Sequence, residues 1–305
     1  IKNIRHFLFA GNEAVMNNLH NIAIITDSSC DLPVDYLKEN NIIVLPLHVV
    51  YSDGEYRDGI NITPQEVYDR FSEEIPSTSM PSPNDVEDAL NEVRRRGLKK
   101  ALFVLISSGL SGTFNTVSMV CKQQKDIEIE IVDSRYLSMG LGYMVMDAVD
   151  RAKEGMDLGE FTEALKEDRK NISGFYCIPT LDYLIKGGRI GLVAGTVGKL
   201  LNIKPIISVN EEGKYYTMAR VKGYPNTINR LKEVLIEQTK GYKFDLTLLY
   251  GNAYDDCLRM KKELSMLPGI LSSIMCQLSP TLVVHTGPGL LGIVCRRRGK
   301  LEASV

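Results

Sequence analysis

Features that bind metals, span membranes or grip polyanions are scarce in this chain. Its six cysteines (Cys30, Cys121, Cys177, Cys257, Cys276 and Cys295) contain no C-x-x-C pair, which excludes a zinc ribbon or a thioredoxin-like motif and leaves reduced, buried thiols of a cytosolic protein. The four histidines do not cluster: His6 and His20 precede the first strand, His48 lies in an apolar run and His285 stands among turn residues, so no metal is expected. No apolar run reaches the ~18 residues of a membrane helix, and stable membrane insertion is not expected. Lys+Arg 36 against Asp+Glu 38 leaves a formal charge of -2, without the basic footprint that nucleic acid requires. Arg94-Arg95-Arg96 and Arg296-Arg297-Arg298 are short and read as solvated ends. Nucleotide signatures are missing as well. The first strand runs into Asp27-Ser28-Ser29 instead of G-x-G-x-x-G, and Ser107 to Thr113 lacks the lysine of GxxxxGK[ST].

What is present is a globular composition, 44% hydrophobic and 24% charged over 305 residues, enough for a large core and two domains. Residues 1–20 read as a leader or added extension, since Phe7-Leu8-Phe9-Ala10 is too brief for a secretory h-region. Strand patterns at 22–26, 42–50, 101–106 and 127–132 alternate with helical patterns at 34–39, 64–74, 83–96, 112–124 and 137–154. That order predicts right-handed crossovers and a three-layer parallel-sheet domain over residues 21–172, its ligands gathered at the carboxyl ends of the strands. Residues 173–305 read as a two-layer α/β domain with a mixed sheet. Strands are expected at 175–178, 205–209, 215–221, 245–250, 281–285 and 291–295, and helices at 181–186, 193–201, 225–240 and 254–266.

Three polar segments stand out. Ala101 to Asn115 reads ALFVLISSGLSGTFN, a buried strand, a Ser/Gly loop and a helix start, where free amides and the helix dipole favour an anion. With no cation in the loop, the site suits a carboxylate held by hydroxyls; the alternative is that Ser111 simply caps the helix. Pro76 to Pro83 sets four hydroxyls among three prolines in a rigid loop, with Ser82-Pro83 also readable as a helix start. His285-Thr286-Gly287-Pro288-Gly289 follows an apolar strand with a tight turn, and a structural histidine is the plainer reading there. Asp27 and Asp31 read as caps of the LPVDYLKEN segment or as floor of the crevice.

Taken in order, TDSSCDLP, TSMPS, SSGLSGTF, LIKGGRI, LLNIKP and HTGPG resemble the DegV family, the fatty-acid-binding proteins that serve as lipid-carrying subunits of bacterial fatty acid kinase. The resemblance runs from Ile22 to Cys295. It implies a cytoplasmic, non-catalytic protein that encloses one long-chain fatty acid, needs no cofactor or metal, and presents the carboxylate to a separate kinase subunit for acyl phosphate formation. By motif, the carboxylate would meet Thr78, Ser111 and His285, with Ser79, Ser108 and Gly112 beside them. Arg189 and Arg220 would serve phosphotransfer or partner contact. Met80 and Phe114 depart from the glutamine and tyrosine usual in the family. Candidate tunnel walls are Val193–Leu201 and Ile206-Ile207, with a core role as the alternative.

A rival from another class is a serine hydrolase acting on acyl esters, with Ser111 as nucleophile, Asp255 as orienting acid and His285 as base, the chain order of α/β-hydrolases. Gly109-Leu110-Ser111-Gly112-Thr113 departs from G-x-S-x-G at its last position.

Overall fold

The computed structural model describes residues 21–196 and 203–301, and the secondary structure falls into three sheets. The first is parallel, in the order β2 (Ile43–Leu45), β1 (Ile22–Asp27), β6 (Lys100–Leu105), β7 (Glu128–Asp133). Period-two alternation splits its side chains between two layers. Ala23, Ile25, Phe103 and Leu105 face α3 (Pro83–Arg95) and α4 (Thr113–Cys121), whereas Ile22, Ile24, Leu102 and Val104 face α5 (Ser138–Lys153) and α6 (Phe161–Arg169). This is the expected three-layer arrangement.

The second sheet has six strands in the order β10 (Tyr215–Lys222), β9 (Ile203–Val209), β8 (Ile172–Cys177), β13 (Leu290–Lys300), β11 (Tyr242–Gly251), β12 (Ile270–Gln277). It is mixed: β11 and β12 run parallel and every other pair is antiparallel. One face packs on α8 (Tyr224–Thr239) and α9 (Tyr254–Leu264) through Phe175, Cys177, Leu246, Leu248, Leu291 and Ile293. The other face sends Tyr176, Ile207, Leu249 and Val294 into the core that holds α5. That helix lies between the two large sheets, which explains why it is buried nearly all round instead of on one stripe.

The third sheet is small and antiparallel, in the order β4 (Gly54–Arg57), β3 (His48–Tyr51), β5 (Ser77–Ser79). The apolar run at 42–50 is therefore two strands of different sheets, parted around Pro46, which cannot donate to a ladder. The Pro-rich loop is also corrected in part: Val49 pairs with Thr78, so its backbone joins a ladder while its hydroxyls stay outside it. Ser82 does cap α3, with Asp85 completing a capping box and Pro83 in the first turn. The short helix α1 (Val34–Glu39) has Pro33 at its cap, and neither Asp27 nor Asp31 caps it.

The larger correction is at 281–285, expected as a strand and found as α10 (Pro280–Thr286). The segment is buried on all sides, so its β-branched residues show no helical period, and the Ser279-Pro280 start signal decides. A six-residue 3-10 turn, Gly191–Thr196, begins where an amphipathic helix was expected; residues 197–201 of that expectation lie outside the described residues. Strand β12 escaped the sequence reading because Ser272 and Ser273 interrupt its apolar pattern. Among the described residues no helix is long and apolar enough to cross a membrane.

Candidate functional site

The carboxyl end of β1 organises the polar loop after β6. Asp27 accepts the Ile106 amide at 2.7 Å and the amide and hydroxyl of Ser29, so one buried carboxylate ties two strand ends together. From there Ser107 turns the chain, its hydroxyl donating to the Gly213 carbonyl at 2.7 Å. Gly109 packs against that same turn, where a Cβ would stand 2.8 Å from the Gly213 oxygen. A glycine is needed because backbone meets backbone there.

The loop then enters a cavity of about 160 Å³ lined by Thr78, Ser79, Ser111, Gly112, Arg189 and His285 on its polar side and by Leu47, Ile106, Leu137, Tyr215 and Leu282 on its apolar side. A second, smaller cavity of about 10 Å³ lies next to it, with Tyr176, Ile178, Leu278 and Leu290 in its walls. Leu137, Tyr215 and Leu282 border both spaces and form the partition between them. The arrangement is a polar mouth backed by apolar walls.

Five of the six residues expected around a carboxylate line this cavity. Ser108 does not: its hydroxyl donates to Asp133 at 2.6 Å and its amide to the same carboxylate at 3.1 Å, which anchors it to β7. Ser111 is part cap and part wall. Its oxygen accepts the Thr113 amide at 3.3 Å and meets the Thr113 hydroxyl at 2.8 Å, while Gly112, the residue before α4, contributes no cap of its own. Those amides and hydroxyls are the anion-favouring dipoles of the mouth.

His285 meets Thr78 at 2.8 Å from ring Nε2 to hydroxyl oxygen, across 207 residues of chain. Burial, and then the positive charge of Arg189, push the imidazole down to about 3, so the ring is neutral. Its Nδ1 has no partner and lies so close to Gly187 that a Cβ there would overlap it. A hydrogen on Nδ1 would be a buried donor with no acceptor, so the tautomer that fits this site carries it on Nε2, where Thr78 accepts it and keeps its own hydroxyl hydrogen for another partner. The KGG and HTGPG segments thus need each other: Gly187 admits the histidine, and Gly287, at φ +66°, lies where any side chain would strike the Tyr183 ring.

Arg189 brings the cation that the serine loop lacks. Its Nε donates to the Leu110 carbonyl at 3.2 Å and Nη1 to the Gly187 carbonyl at 2.7 Å, which fixes the guanidinium at the mouth. Arg220 lies away from the cavity and donates to the Gly195 carbonyl at 3.1 Å. Met80, 44% exposed, leans over the mouth, its sulfur accepting the Thr116 hydroxyl at 3.0 Å and pressing on Gly112. The wall candidates that lie among the described residues fall elsewhere. Val193, Ile206 and Ile207 are core residues outside both cavity linings, and the apolar wall comes from Leu47, Leu137, Tyr215 and Leu282, whose spacing carries no signal before the chain is folded.

The hydrolase constellation is not assembled. His285 Nε2 is engaged with Thr78, Ser111 pairs with Thr113, and among the described residues no carboxylate meets His285 Nδ1, so Asp255 on α9 does not orient it. Among the described residues no group of His, Cys, Asp and Glu could hold a metal ion.

Residues 21–298 match the sequence profile described as an uncharacterised protein of the DegV family. A DegV domain-containing protein of Clostridium acetobutylicum is 42% identical over 276 residues, covering 90% of this chain and 99% of the relative. Among solved structures, a fatty-acid-binding DegV family protein from Thermus thermophilus superposes with a TM-score of 0.85 at 28% identity, covering 91% of this chain and 99% of that one. A stearic-acid-binding protein from Eubacterium ventriosum superposes with a TM-score of 0.80 at 25% identity, covering 90% and 98%.

Proposed function

The chain belongs to the DegV family, and from that membership we propose that it carries one long-chain fatty acid, holding the carboxylate in the Thr78–Ser111–His285 mouth and leading the acyl chain away along the apolar walls formed by Leu47, Ile106, Leu137, Tyr215 and Leu282. The single observation that supports this most is the polar mouth opening onto apolar walls, with the polar side chains Thr78, Ser111, Arg189 and His285 converging from four separate segments. A carboxylate entering a partly dry site must replace its hydration, and the Thr78 and Ser111 hydroxyls, the first amides of α4 and the Arg189 guanidinium are donors of the right kind. Each methylene placed in the apolar space adds ~0.8 kcal/mol, so the tail supplies affinity and the head supplies orientation. Ser79 and Gly112 complete the rim, and Ser108 acts through the loop it anchors. The fatty acid is a bound ligand, and the chemistry needs no cofactor of this chain's own.

We further propose that the carrier is not itself an enzyme. It presents the carboxylate to a separate ATP-dependent kinase subunit, which forms the acyl phosphate, with Arg189 beside the reacting oxygen and Arg220 on the surface that meets the partner. Six free, buried cysteines suit a reducing cytoplasm. Binding of palmitate to Ser111→Ala tests the head-group assignment: the loss of one donor to a charged group is expected to weaken binding by ~1.5–3 kcal/mol. Unchanged binding would leave Ser111 as a helix cap only.

A further inference from the structure

The TDSSCDLP segment supplies no wall of the cavity, yet it carries a half-buried acid that crosses to the histidine's helix. Asp31, in the left-handed conformation at φ +51°, accepts the Ser279 amide at 3.0 Å through one oxygen and the Ser138 hydroxyl through the other. Asp58, from the loop after β4, accepts the amide of Thr281 at 3.1 Å and also its hydroxyl. Ser28 supports Asp58 and also accepts the Leu47 amide at 3.0 Å. Two carboxylates from the first sixty residues therefore hold the opening turn of α10, the helix whose far end bears His285. Negative charge at a helix N-terminus is the favourable sign.

These acids are costly to keep where they are. Burial pushes the carboxyls of Asp31 and Asp58 up to about 7 against the pull of their hydroxyl and amide donors, and Asp27 is raised beside them. Neutral caps such as serine or asparagine would satisfy the same amides without that desolvation. What the carboxylates add is acceptance of a second donor each, which ties the opening turn of α10 to the chain after β1 and β4, and β4 reaches β5 through β3. The Thr78–His285 bond spans β5 and α10, and a shift of well under 1 Å would break its alignment.

We propose that Asp31 and Asp58 are positioning residues for the ligand head: they lock α10 so that His285 polarises Thr78, and carboxylate recognition depends on them although neither touches the cavity. The proposal rests on reading the mouth as a carboxylate site. Leu47, Thr281 and Leu282, each on or beside this latch, line the cavity directly, so displacement of α10 reaches the ligand without passing through the rest of the core.

The test uses the full chain with palmitate and hexadecanol, two probes that share a tail and differ in the head. Asp58→Asn keeps the shape and removes the charge. Ser279→Pro removes the Ser279 donors beside Asp31, amide and hydroxyl, and leaves both acids in place, at a residue whose φ of -65° already suits proline. Each variant is expected to weaken palmitate binding about tenfold or more and hexadecanol binding less than about twofold. The ring 15N signals of His285 should also move in the ligand-free protein. Equal weakening of both probes, or unmoved His285 signals in both variants, would make the two acids ordinary core polar groups and overturn the proposal. If Asp58→Asn does not fold, Ser279→Pro carries the same two readouts. If the unaltered chain binds neither probe, the fatty-acid reading fails instead, and the His285 signals still decide the positioning role.

Discussion

Replacing Thr78 by valine isolates the contact on which the head-group chemistry turns. The substitution keeps a β-branched residue in β5, opposite Val49 in the ladder, and removes only the hydroxyl that meets His285 Nε2 at 2.8 Å. Two losses follow. The buried imidazole N–H is left without an acceptor, which costs about 1–3 kcal/mol of folding stability. The bound carboxylate loses a donor worth ~1.5–3 kcal/mol because one partner is charged, which corresponds to roughly a 10- to 150-fold weaker Kd. A neutral head has less to lose, ~0.5–1.5 kcal/mol. Titration of Thr78→Val with palmitate and with hexadecanol, beside chemical denaturation of the ligand-free protein, measures all three quantities. The reasoning is refuted if stability falls while palmitate affinity stays at the wild-type value, because Thr78 would then be only a partner of the histidine.

Gly187→Ala places a Cβ on His285 Nδ1, and the expected outcome is about 1–3 kcal/mol of lost stability from overpacking together with weaker palmitate binding, read by denaturation and titration. Arg189→Ala is expected to keep the lipid and lose phosphorylation by the kinase partner; loss of the lipid, seen by extraction and mass spectrometry, would move Arg189 into the grip on the head. The pH dependence of stability follows from the two acids at α10. Asp31 and Asp58 are raised on folding, so their contribution is fully present below the ordinary carboxylate range and is lost as pH rises through about 7. His285 is depressed to about 3, so its contribution is present above its ordinary value and is lost as pH falls towards 3. Between about pH 6 and about pH 8 the acids dominate, and the melting temperature should fall across that window in wild type and fall less in Asp58→Asn.

The sequence disclosed the parallel sheet well because crossovers force strands and helices to alternate, and its strands are apolar runs except for EIEIVD at the β7 edge, which alternates. It disclosed α10 poorly for the opposite reason: a segment buried on every side has no polar face to mark its period, and TLVVH reads as a strand until Ser279-Pro280 is taken as its cap. The site was legible as separate motifs, since TSMPS, LSGT, GGR and HTGPG each break regular structure with hydroxyls or glycines. Their convergence was not, because the bond from Thr78 to His285 crosses 207 residues. Ser108 misled by its neighbours: one residue before Gly109 it turns outward to Asp133 and leaves the cavity to Ser111. The apolar wall was invisible for a plainer reason, since Leu47, Leu137, Tyr215 and Leu282 are single residues of four different segments. Asp31 looked like a local cap because acids before a helix usually are, whereas its amide partner lies 248 residues away.

Denaturing mass spectrometry of lipid extracted from the purified chain tests the central claim most directly. The account predicts a long-chain fatty acid at about one molecule per chain, retained through purification and depleted in Thr78→Val. A chain free of acyl material that also takes up no palmitate on titration would contradict it.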